Sequence, residues 1–316
     1  MKIPLSNSSK DIGTISTQHR SHSVSRSVAR SRMRSDGRFI GMPAFRIERE
    51  LAVALDLEEI SVHYQPQYDV ATGRCCGVEA LARWVLSTGE NITPSAFIPV
   101  AEQFGMIHDL GSLMLRKACK TTRSWCSPGA EPLTLSVNVS TLQIDAAFSR
   151  LLEKILKQFS YPAGQLELEI TESALIVNPT RTIGYLNEWK KLGVRIAIDD
   201  FGAGYSSLNY LTRLPVDQLK IDRSLVQRLT LDFKSVAIMR LILSLAAELG
   251  FDVIAEGVET KQELRILADL GCPKVQGYLL GRPMPAAQAQ IALTKPSGDL
   301  EPSLGDSMAG TEFHAA

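Results

Sequence analysis

Between residues 61 and 281 short β-prone runs alternate with helical stretches about eight times, and this alternation leaves few folds open to the chain. The runs are SVHYQPQYDV (61–70), CCGVEALARWV (75–85), LTLSVNVS (133–140), QLELEIT (165–171), VRIAID (194–199), VDQLKID (216–222), FDVIAE (251–256) and PKVQGYLLG (273–281). Helices are expected over 45–60, after Pro94, and over 109–125, 146–159, 180–193, 233–250 and 260–271. There apolar residues recur every three or four positions, and Gly193, Gly250 and Gly271 supply stops. Strands separated by helices pair in parallel. The expected fold class is therefore α/β, a closed TIM-like (β/α)8 barrel in one domain, with a doubly wound open sheet as the rival. No glycine-rich nucleotide loop follows the first strands.

The two ends differ from this middle. Residues 1–38 hold Lys2, Lys10, Arg20, Arg26, Arg30, Arg32, Arg34 and Arg38 against Asp11 and Asp36, among many serines and with no apolar period. A disordered basic tail over 1–40, one domain over 41–290 and a flexible C-terminal tail over 291–316 are expected. Over the whole chain Lys plus Arg and Asp plus Glu are 34 each, so net charge argues for no nucleic-acid partner. The five cysteines, Cys75, Cys76, Cys119, Cys126 and Cys272, have no metal-ligand spacing and suit a reducing compartment. No apolar run reaches membrane-spanning length, and the expected location is cytoplasmic.

The residues that leave each apolar run carry the chemistry. Glu79 lies in the second run and Asn138 near the end of the third. Glu169 and Glu172 follow in LEITES, Asp199 and Asp200 in RIAIDD, Lys220 and Asp222 in LKID, Glu256 and Glu259 in EGVE, and Gln276 in KVQ. One acid at a strand–helix junction is an ordinary cap. Six successive polar junctions are different, because in a barrel the C-terminal strand ends converge on one face. Glu79, Glu169, Asp199, Asp200 and Glu256 gathered there must raise their pKa values or recruit cations. Lys220 supplies one positive charge. The other candidate donors are all oxygens, which suits Mg²⁺ or Mn²⁺ better than zinc. If the strand ends between Asp199 and Asp200, both acids reach the cleft, and two ions there would fit phosphodiester hydrolysis. The alternative is a structural salt-bridge network around Lys220 and Arg83. In DDFGAGYSSLNYL (199–211), Gly202 and Gly204 allow a tight turn beside these acids.

These segments resemble the EAL domain family, phosphodiesterases of the bacterial messenger cyclic di-GMP. Glu79, Ala80 and Leu81 are the eponymous triplet. The resemblance runs from about Phe45 to Pro285 and takes in YQPQYDVATG (64–73), EALARW (79–84), NVS (138–140), ELEITES (167–173), DDFGAGYSSLNYL, LKID (219–222), EGVE (256–259) and QGYLLGRPMP (276–285). It implies a modified barrel with one antiparallel strand and two divalent cations, Mg²⁺ or Mn²⁺. It implies that Glu79, Asn138, Glu169 and Asp199 hold one ion, and that Asp199, Asp200 and Glu256 hold the second ion or its waters. Lys220 resembles the lysine that contacts the attacking water, and Glu172 the residue that holds the glycine-containing loop. Gln65 and Arg83 resemble substrate contacts, with Asp222, Glu259 and Gln276 completing the cleft. The implied reaction opens cyclic 3′,5′-di-GMP to linear pGpG. A weakly active cyclic di-GMP receptor signalling through a protein partner is the alternative. The resemblance also admits a homodimer and a regulatory partner. Ala203 departs from the commoner DDFGTG, and no ligand is lost.

Overall fold

The computed structural model of the protein describes residues 44–125, 133–172, 174, 178–202 and 211–294. Two compact units divide at Met42 and Pro43, and the described residues fall in the second. The expected tail over 1–40, nearly all of the C-terminal tail, Cys126 and positions 203–210 of the glycine-containing loop lie outside the described residues.

Helix α1 (Ala44–Asp56) leads into strands β1 (Ser61–Asp69) and β2 (Cys75–Val85). β2 folds onto the short β3 (Asn91–Ile92), and α2 (Pro94–Gln103) and α3 (Ile107–Thr122) follow. Then come β4 (Thr134–Asn138), α4 (Ala146–Phe159), β5 (Leu166–Thr171), α5 (Pro179–Lys191), β6 (Arg195–Phe201) and β7 (Gln218–Ile221). The chain continues through α6 (Arg223–Arg228), α7 (Phe233–Leu249), β8 (Asp252–Ala255), α8 (Lys261–Asp269), β9 (Lys274–Val275), β10 (Met284–Pro285) and α9 (Ala286–Ala292). The last helix runs through the boundary expected at 290.

The helices start where side chains satisfy the free N–H groups of a first turn. Asp145 accepts from Phe148, Asn178 from Arg181 and Asp232 from Lys234, while Thr260 and Glu263 form a capping box. Their apolar faces cover a sheet that closes on itself in the order β1-β9-β8-β7-β6-β5-β4-β2-β1. β1 is antiparallel to both of its ring neighbours, and the remaining ring pairings are parallel. This is the expected modified (β/α)8 barrel, and the open sheet is excluded.

Near the N-terminal ends of the parallel strands the barrel is filled by polar groups. Glu167, fully buried, accepts from Ser136 at 3.0 Å and Gln218 at 2.9 Å, and pairs with Arg195 at 3.3 Å. Arg195 and Lys274 both reach Asp252, at 2.7 and 3.1 Å. This linked set meets the hydrogen-bonding needs of a charge that burial would otherwise make costly.

Candidate active site

The parallel ladder between β2 and β4 ends at Ala80 and Val137, although β2 continues to Val85. Glu79 is therefore in mid-strand by sequence yet at the C-terminal rim of the barrel proper. Asn138 ends β4 beside Glu169 of β5, and Thr171 of β5 stands beside Asp199 of β6. The β6–β7 register slips between Ile198 and Phe201, where Asp200 takes a φ of 56°. The strand does not end between the two acids but runs on to Phe201, and it is this bulge that breaks the strict alternation of faces there. The Asp200 N–H donates to Asp199 Oδ1 at 3.0 Å.

Lys220 of β7 is the hub. Its side chain is fully buried, and Nζ lies 2.8 Å from Glu169 Oε2, 2.7 Å from Glu256 Oε1, 3.3 Å from Asp199 Oδ1 and 3.7 Å from Glu79 Oε1. Burial opposes its charge, but Asp199, Glu169, Glu256 and Glu79 outweigh burial and hold the ammonium well above the usual lysine range. The acids divide. Burial and the neighbouring carboxylates push Glu169 well up, against the pull of Lys220. Burial likewise lifts Glu256 to about 8. For Glu79 burial acts upward, yet Lys220 and the amides of Gln276 and Asn138 bring its carboxyl below the usual range. Burial and Asp199 raise Asp200.

Glu79 is gripped at both oxygens. Asn138 Nδ2 donates to Oε1 at 2.7 Å, and Gln276 Nε2 donates to Oε2 at 2.6 Å. Gln276 is set by a close backbone approach. A Cβ on Gly277 would lie 2.1 Å from the Val258 carbonyl oxygen, so only glycine lets the QG and EGVE segments touch. Gln65 stands opposite Glu79 on β1 and donates to the Gly281 carbonyl at 3.1 Å.

Other predicted residues sit around this centre. Arg83 shares the face of Glu79 two layers further out, where Nη1 donates to the Ala82 carbonyl at 2.9 Å; among the described residues it forms no ion pair. The salt-bridge network weighed from sequence thus exists around Lys220 and leaves Arg83 aside. Asp222 caps α6, accepting from the Ser224 N–H at 3.0 Å. Glu172 follows β5, and its N–H donates to the Asp199 carbonyl at 3.3 Å. Glu259 is exposed just beyond Glu256. A cavity of about 380 Å³ opens beside Glu79 and Asn138, with mainly apolar walls that include Leu81, Ile98, Leu110 and Met114.

The donor set fits oxygen-preferring divalent cations. Four carboxylates face one ammonium, which leaves three negative charges uncompensated when all are ionised. Glu169 Oε2 and Glu256 Oε1 are buried against the Lys220 ammonium, at 2.8 and 2.7 Å, so one cation is shared among several acids. Among the described residues no three carboxylate, imidazole or thiol groups already share a ligating arrangement, because the acids are drawn round Lys220.

Fold and site together define a mostly parallel α/β barrel with an acid-rich centre around one buried lysine at the C-terminal ends of its strands. The chain belongs to the EAL domain family, which matches residues 48–283. It is 40% identical over 242 residues to MucR, a bifunctional diguanylate cyclase/cyclic di-GMP phosphodiesterase of Pseudomonas aeruginosa, covering 76% of this chain and 35% of that protein. It is 40% identical over 262 residues to the cyclic di-GMP phosphodiesterase NbdA of the same organism, covering 82% and 33%. The chain thus spans about a third of the length of these relatives. Its fold superimposes on the solved PaMucR phosphodiesterase in complex with c-di-GMP with a TM-score of 0.74 at 40% identity, over 77% of this chain and 99% of that one. Among the described residues no helix is long and apolar enough to cross a membrane.

One contributor escaped the reading of the sequence. Gln67 is buried at 2% exposure and donates to Gln276 Oε1 at 3.0 Å. The alternation in HYQPQYD, with glutamines two apart, was the available signal.

Proposed function

We propose that this chain hydrolyses cyclic 3′,5′-di-GMP to linear 5′-pGpG in a reaction that depends on Mg²⁺ or Mn²⁺. The observation that carries this reading is the buried cluster of Glu79, Glu169, Asp199 and Glu256 round Lys220 at the barrel rim. The phosphodiesterase names of MucR and NbdA, and the cyclic dinucleotide bound in the PaMucR complex, support the choice of substrate.

Glu79, Asn138, Glu169 and Asp199 would hold one ion, and Asp199, Asp200 and Glu256 the second. Bound there, such ions lower the pKa of water and offset charge on the phosphate. Lys220, buried among these acids, would orient the attacking water as a hydrogen-bond donor, with the ions activating that water. Arg83, on the same face as Glu79, turns from the Ala82 carbonyl to a phosphate oxygen. Gln65, Asp222 and Glu259 border the substrate, Glu172 supports the loop after Asp199, and the cavity beside Asn138 takes a purine against its apolar walls. The water oxygen bonds to phosphorus, the P–O3′ bond breaks, and a proton passes to the departing 3′ oxygen. A homodimer and a regulatory protein partner belong to the same proposal.

Purified protein incubated with cyclic di-GMP and Mn²⁺ should yield pGpG, and chelator should stop it. Tight nucleotide binding without turnover in either metal would select the receptor reading. Neither binding nor turnover would overturn both.

A further inference from the structure

The alternating faces of β1 turn Gln65 and Gln67 into the barrel one layer apart, while Tyr64 packs outward on Trp125. Gln65 stands opposite Glu79, and Gln67 opposite Gly77. Gln67 Nε2 donates to Gln276 Oε1 at 3.0 Å, and Gln276 Nε2 donates to Glu79 Oε2 at 2.6 Å. The direction of this chain is dictated from its far end. An ionised carboxylate only accepts, so Gln276 must present its NH₂ to Glu79. Its carbonyl oxygen then faces Gln67, which must present an NH₂ in turn.

We propose that Gln67 is a positioning residue for the reaction, locking the Gln276 amide in one orientation and, through it, the carboxylate of the metal ligand Glu79. A Gln276 amide free to rotate would place oxygen against oxygen at 2.6 Å and push Glu79 off its position. The device needs space. A Cβ on Gly77 would lie 2.5 Å from Gln67 Oε1 and 3.1 Å from the Thr134 carbonyl, so the glycine two residues before Glu79 makes room for the lock. Gln67 reaches Glu79 through the Gln276 amide, so its effect passes through Gln276. Partners of this kind commonly tune metal affinity by about 10–100-fold.

This inference rests on the metal-dependent reading above, and its test is metal binding without nucleotide. Mn²⁺ uptake would be followed by calorimetry, and the bound ion's environment by electron paramagnetic resonance, on the full chain. Gln67→Met keeps length and volume but loses both ends of the amide. It should unfold within a few degrees of wild type, bind Mn²⁺ about 10-fold more weakly and broaden the spectrum. Gly77→Ala leaves Gln67 intact but crowds it, and should shift affinity and spectrum the same way. A Gln67→Met protein with wild-type affinity and spectrum overturns the inference; should that variant fail to fold, an unchanged Gly77→Ala protein does so. Wild-type protein that takes up no Mn²⁺ overturns the metal-dependent reading, and this inference with it.

Discussion

Lys220 Nζ and Glu169 Oε2 meet at 2.8 Å with neither side chain exposed to solvent. Such a pair is held less by its own attraction than by the cost of leaving either member alone. Lys220→Met should therefore strand the acids around it. Metal-free protein should lose about 3–5 kcal/mol of stability. Saturating Mn²⁺ should restore part of that, because cations replace the missing charge. Thermal unfolding with chelator and with Mn²⁺ checks this, and equal losses in both would refute it.

The raised carboxyls set a pH dependence for metal-free protein. Glu256 has an ordinary value of 4.5 and sits at about 8 in the fold, with burial as the main cause. Between these values the folded state holds more protons than the unfolded one, so stability falls as pH rises. Its contribution is full below 4.5 and lost as pH climbs through about 8. Glu169 acts in the same direction. The melting temperature in chelator should decline from pH 5 to pH 8, and Mn²⁺ should flatten that slope while releasing protons.

Glu79→Ala and Asp199→Ala should each reduce pGpG formation to background while the fold persists. Arg83→Ala should instead act mainly through KM, since Arg83 lies two layers outside Glu79 on the same strand face. Steady-state hydrolysis of cyclic di-GMP distinguishes the two patterns. Turnover that survives in Glu79→Ala would remove Glu79 from the metal site.

Asp200 at φ 56° occupies the left-handed region that asparagine and aspartate tolerate. Asp200→Asn should keep the stability of metal-free protein and lose activity. Asp200→Val should cost roughly 1–2 kcal/mol from the backbone alone. Chelator melts of the two variants decide whether that bulge is strained for other residues.

Much of this barrel was legible in the sequence because its strands and helices carry different apolar periods. CCGVEALARWV and AAFSRLLEKILKQF coincide with β2 and α4 at both ends. The direction of β1 was not legible as a pattern, since alternation reads the same both ways; the family resemblance implied one antiparallel strand, and the pairings identify it as β1. Two-residue strands such as β3 and β10 are too short to show a period, and AAQAQIA of α9 has no strong apolar stripe. In the site, acids at successive strand ends pointed to Glu79, Glu169, Asp199 and Glu256. The central place of Lys220 and the link from Gln67 to Glu79 depend on register between strands distant in sequence, which no local window contains.

The reversed first strand changes the end at which the chain enters the barrel. Ser61, where β1 begins, pairs with Arg83, whereas Asp69, where it ends, pairs with Lys274 next to the polar floor. A regular barrel would take in its chain at the floor, remote from catalysis. Here the chain arrives at the working end, and only residues 57–60 separate α1 from that arrival. Residues 57–60 thus tie α1 to the strand that faces Arg83 at Ser61 and Glu79 at Gln65, so the N-terminal helix is joined to the acid-rich rim and not to the floor.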